Sequence, residues 1–111
     1  MAQQKKRKSL PKISMVYVTT PEIELAKKIA EEAVRSGLAS CANFWSQMNS
    51  IYSWEGSLRH DQECVLIFKT KTQNLKDLEA LVRAHHSYQV PCFLHWPLAG
   101  GSEGYVNWLL A

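Results

Sequence analysis

No apolar run in the 111-residue sequence approaches the roughly 20 residues that cross a bilayer, so no membrane span is expected. Cysteine is scarce. Cys41, Cys64 and Cys92 are scattered and odd in number, which argues against a disulfide framework. The charged start MAQQKKRKSLPK has no apolar stretch behind it, so a secretory signal is not expected, and the reading is of a reducing, cytoplasmic setting. GxSxG, Walker and HExxH patterns are missing, and no enzyme activity is expected. The residues after the first strand, TTPEIE, lack the glycines that cradle a phosphate.

Charge of one sign is also missing from most of the chain. The net +3 arises because Lys5, Lys6, Arg7, Lys8 and Lys12 crowd the first twelve positions. From Ile13 onward, 8 basic residues face 10 acidic ones, a balance of −2. The folded part therefore has no basic footprint for nucleic acid. VLIFKTK offers one aromatic, Phe68, where RNA-binding sheets stack several. Positions 1–12 read as a basic, disordered tail, and 13–111 as a single domain.

What is present reads in a clear order. ISMVYVTT (13–20) is a β-branched, largely apolar strand. Thr20 is the expected N-cap and Pro21 the first helical residue. Leu25, Ala26, Ile29, Ala33 and Val34 give the apolar face of a helix over 21–36, and Gly37 stops it. From 38 to 72 no helical period appears; two strands meet at a Glu55–Gly56–Ser57 turn, with a bend at Ser46–Met48. A straight strand over 38–54 would run about 55 Å at roughly 3.3 Å per residue, far beyond a globule of radius of gyration about 13 Å. The hairpin tip, with Tyr52 and Trp54, therefore extends past its own core and needs a partner surface, a sign of oligomerisation. A helix at 74–86, a strand at 91–98 and a short C-terminal helix capped by Ser102 complete the chain. The order β-α-β-β-α-β with a terminal helix is an α+β, ferredoxin-like arrangement.

RAHHSYQVPC (83–92) brings imidazole and thiol close together, a donor set that favours copper or zinc over magnesium or calcium. Adjacent histidines on a helix are about 100° apart, whereas helical chelating pairs are spaced i, i+4. No CxxC is present, so any ion needs ligands from elsewhere in the fold. The same residues also read as a helix end, favoured by the dipole, leading into a turn.

SGLASCANF, SIYSWEGSL with Glu63 downstream, IFKTK, HHSYQVP and PLAGGSEGYVNWL stand in the order and spacing of the CutA divalent-cation-tolerance family, which the chain resembles over about 13–111. The resemblance implies a tight homotrimer of ferredoxin-like subunits, with each hairpin completing the sheet of the next. It also implies a non-enzymatic role in tolerance of copper and other divalent cations. Cys41, His85 and His86 are then the candidate copper ligands. The family is similar in architecture to the PII signalling trimers, which bind small effectors between subunits. Tyr52, Trp54, Glu63, Lys69 and Tyr88 are accordingly candidates to line a cleft. The chain departs from the family pattern at three places. Ser87 stands where a proline is usual in His-Pro-Tyr, Cys92 where a glutamate commonly follows the Val-Pro pair, and Val18 where some bacterial members have cysteine.

Overall fold

The computed structural model describes residues 12–111; the expectation of a disordered basic tail over 1–12 falls, Lys12 apart, outside these. Strand β1 (Ile13–Thr20) is followed by α1 (Ile23–Arg35), then by the long strands β2 (Cys41–Trp54) and β3 (Ser57–Lys71). A 3₁₀ turn at Thr72–Asn74 leads into α2 (Leu75–His85), then β4 (Phe93–Pro97) and α3 (Glu103–Leu110). The four strands form one antiparallel sheet in the order β2-β3-β1-β4. Each helix α1 and α2 thus joins two parallel strands with another strand between them, the ferredoxin-like connection expected from the sequence.

Alternation along the central strands explains the layering. Val16 and Val18 of β1, with Leu66 and Phe68 of β3, pack against Ile29, Ala30 and Ala33 of α1 and Leu78 and Val82 of α2. All of these except Ala30 have no exposed surface. Removing Phe68 would empty the centre of this layer, a change that costs about 3–5 kcal/mol in comparable cores. The intervening residues Tyr17, Thr19, Glu63, Val65, Ile67 and Lys69 point to the opposite, open face. Helix α3 touches that side through Tyr105, whose hydroxyl lies 3.1 Å from Lys69 Nζ.

The start of α1 differs from the expectation. Thr20 is the last residue of β1, paired with Cys64, so its backbone belongs to the sheet and cannot serve as the cap. Its hydroxyl donates to the Glu22 carbonyl at 3.0 Å, Glu22 takes the cap position, and the helix begins two residues beyond Pro21. The end of α1 is as expected. Gly37 lies at φ +79°, its N–H bonds Val34 O at 3.1 Å, and Leu38 N–H bonds Ala33 O at 3.0 Å. These paired bonds form a Schellman motif, in which the left-handed residue turns the chain toward β2.

Strands β2 and β3 outrun the sheet. β1 pairs with β3 only from Cys64 to Lys71. The seven pairs from Met48↔Glu63 to Trp54↔Ser57 form a free two-stranded arm about 23 Å long at roughly 3.3 Å per residue. Glu55 and Gly56 close it with φ of 51° and 81°, both positive as a type I′ turn requires. The arm lengthens the molecule to 59 Å and raises its radius of gyration to 16.6 Å. Gly37→Ala should destabilise the fold by about 1 kcal/mol, because nothing lies near the added methyl and only the left-handed backbone resists it. Urea unfolding checks this; an unchanged midpoint would contradict the Schellman assignment.

Candidate functional site

One irregularity decides which side chains meet at the base of the arm. Trp45 faces Val65 and Met48 faces Glu63, so β2 spends three residues where β3 spends two. The extra residue is a β-bulge at the expected bend, with Gln47 at φ +71°. Because strand side chains alternate, one inserted residue inverts the faces of everything beyond it. Cys41, Asn43 and Trp45 share the open face before the bulge; Met48, Ser50, Tyr52 and Trp54 share it afterwards. Without the bulge, Asn49, Ile51 and Ser53 would occupy those places.

Glu63 is the centre of the resulting group. Its Oε1 accepts from Ser50 Oγ at 2.8 Å, and its Oε2 accepts from Tyr88 Oη at 2.9 Å. Tyr52 donates to Asp61, its diagonal neighbour on the same face. The segment after α2 supplies the other wall, and His86 fixes it there. The Tyr88 N–H donates to His86 Nδ1 at 3.0 Å, so the ring proton resides on Nε2, which donates to the Thr19 carbonyl at 2.7 Å. Both ring nitrogens are thereby used, and the ring lies 4.8 Å from that of Tyr88. Between arm and segment is a cavity of about 500 Å3, with Tyr52, Trp54, Arg59, Glu63, Tyr88 and Cys92 on its wall.

Four of the cleft candidates, Tyr52, Trp54, Glu63 and Tyr88, are thus brought together. Lys69 is not among them. It lies six residues along β3 from Glu63, about 20 Å at roughly 3.3 Å per residue, with Tyr105 for company, its ammonium 5.2 Å from that ring's centre. The bond to Tyr105 raises the Lys69 pKa, against a smaller opposing effect of burial. The three metal candidates do not converge within one chain either. Cys41 pairs with Lys69 and has its thiol near Asn43, His86 is held at the opposite end of β1, and His85 closes α2. Among the described residues no group of three His, Cys, Asp or Glu side chains is placed to hold an ion. Sequence reasoning missed Ser50, Arg59 and Asp61 as members of the cavity group. Alternation from Tyr52 would have found them, given the phase that the bulge sets.

The cavity favours protonated groups. Burial raises the Tyr88 pKa most, followed by its bond to Glu63 and the negative charge there. Tyr52 is raised chiefly by its bond to Asp61, and burial followed by Glu63 pushes the Cys92 thiol up. For Tyr88 the folded value exceeds the ordinary 10.0, so its contribution to stability is complete below that pH and is lost as the pH climbs through the raised value. In an ultraviolet phenolate titration, Tyr88→Phe should remove the last-ionising step. Its loss at neutral pH should cost about 1 kcal/mol, one hydrogen bond to a partly solvated carboxylate. Coincident alkaline curves for parent and variant would contradict the assignment.

Comparison with known proteins places this architecture. Residues 14–111 match the family described as CutA1 divalent ion tolerance protein. The chain is 42% identical over 102 residues to the Arabidopsis thaliana protein named "Protein CutA, chloroplastic", covering 92% of this chain and 56% of that one. It is 39% identical over 95 residues to the divalent-cation tolerance protein CutA of Thermus thermophilus, covering 86% of this chain and 92% of that one. The crystal structure of CutA1 from Oryza sativa superposes with a TM-score of 0.87 at 37% identity, over 90% of this chain and 92% of that one. The chain spans just over half of the plant relative's length and nearly all of the bacterial one's. With the fold, the long arm and the sequence in agreement over residues 14–111, the chain belongs to the CutA1 divalent ion tolerance protein family.

Proposed function

We propose that the protein is a non-enzymatic divalent-cation tolerance protein that works as a homotrimer and binds copper. The observation that carries the assembly is the arm: Ile51 and Leu58 are 65% and 68% exposed on one of its faces, and Trp54 is 47% exposed on the other. A two-stranded ribbon with apolar groups on both faces is marginal in water and is stabilised by a neighbour. A second copy of the chain supplies one, with each arm laid along the sheet of the next subunit. Because Cys41, His85 and His86 are apart within one chain, an ion held by them joins groups from different subunits. Of the three, Cys41 and His85 are the freer donors, and His86 could bind only by giving up one of its present bonds. All three cysteines are free, which supports a reducing compartment; the Arabidopsis relative carries "chloroplastic" in its name.

A second reading is favoured by the meeting of Tyr52, Trp54, Glu63 and Tyr88 at one cavity. In it, the trimer is a regulatory scaffold whose effector binds there. Light scattering should give three times the 12.7 kDa chain mass; the monomer mass would overturn the assembly. Copper titration of the trimer beside Cys41→Ser and His85→Ala variants should show weaker binding in each variant. Equal affinity in all three would remove these residues as ligands.

A further inference from the structure

We propose that the cavity at the base of the arm takes a small organic cation, a quaternary ammonium or protonated amine, held against Tyr52, Trp54 and Tyr88. This rests on the second reading above, that the cavity is a ligand site, and adds the class of its occupant.

The volume, about 500 Å3, lies within the range of small-molecule sites. Its wall carries three of the chain's aromatic side chains, whose ring faces are electron-rich and attract a weakly hydrated cation. Glu63 and Asp61 supply negative charge beside them. Their oxygens accept from Ser50, Tyr88 and Tyr52, which hold the carboxylates in place without neutralising them. The ion pairs among the described residues are Arg35–Glu32 and Arg83–Glu79, so neither Glu63 nor Asp61 has a cationic partner there. A fixed, uncompensated carboxylate pair beside an aromatic wall complements a cation.

The alternatives fit less well. An anion would meet Glu63 on the wall and the charge of Asp61 behind the Tyr52 hydroxyl, with the exposed Arg59 as its single cationic contact. A bare metal ion would find no third acidic, histidine or cysteine ligand gathered with the two carboxylates. It would also compete with three hydroxyl donors already directed at their oxygens. An organic cation needs no inner-sphere ligand: it keeps the hydroxyl bonds intact and lies against the rings.

The test titrates the assembled protein by calorimetry with choline, with 3,3-dimethyl-1-butanol as its uncharged isostere, and with succinate. Choline should bind at least about tenfold more tightly than the isostere, the margin of a partly desolvated cation–π contact. Glu63→Gln and Trp54→Leu should each weaken choline by a similar factor while the far-ultraviolet spectrum is kept. Arg59→Gln removes the one competing cation from an exposed position and should tighten binding. Equal binding of choline and the isostere, or binding of succinate instead, would overturn the cationic class and leave the cavity as a ligand site. No heat from any of the three would overturn both. Copper binding at Cys41 and His85 is measured separately and does not move with either result.

Discussion

The extra residue in β2 is the constraint on which the open face depends. A bulge between Trp45 and Met48 costs a left-handed Gln47 and one broken step of the ladder. In return, the arm beyond it presents Ser50, Tyr52 and Trp54 on the side of Glu63. The opposite strand needs no such correction, and Arg59, Asp61 and Glu63 already alternate onto the same face. One backbone irregularity thus determines whether the base of the arm is an aromatic, acidic cavity or a surface of Asn49, Ile51 and Ser53.

The second wall is held by a histidine whose part is structural. His86 ties the Tyr88 backbone to the Thr19 carbonyl, joining the segment after α2 to the end of β1. Tyr88 then reaches Glu63, which also accepts from Ser50 of the arm. Loop, sheet and arm are linked through one carboxylate. Ser87, in the place where the family usually has proline, relaxes the backbone constraint within this link; the His86 ring bonds supply the constraint from the side chain instead. Cys92 is set beside Glu63 and Thr19, where the family commonly has a second carboxylate. That exchange lowers the negative charge of the cavity and leaves Glu63 and Asp61 as its carriers.

Much of the fold was legible in the sequence because its signals are local. The apolar period of Leu25, Ala26, Ile29 and Ala33, the stop at Gly37 and the turn at Glu55–Gly56 each act within a few residues. The overlength of the arm followed from counting residues against the size of a globule. Thr20 misled as a cap because tertiary pairing with Cys64 claimed its backbone for the sheet, an effect no local pattern reveals. The site was legible in part. Tyr52, Trp54, Glu63 and Tyr88, which the sequence suggests as cleft residues, meet at one cavity, whereas Lys69, suggested with them, lies well down β3. The bend at Ser46–Met48 was visible, but its consequence for the phase of the arm was not, because the sequence does not show how many residues the partner strand spends at the same step.

That Gln47 is the extra residue absorbed by the bulge can be tested by deleting it and recording proton NOEs from the Tyr52 ring in parent and shortened chain. Deletion leaves Ser46 alone opposite Cys64 and Met48 still opposite Glu63, so contacts from the ring to Asp61 are expected in both chains. Replacement of the Tyr52–Asp61 contacts by contacts from Ile51 in a folded, shortened chain would contradict the bulge as the source of the arm's phase.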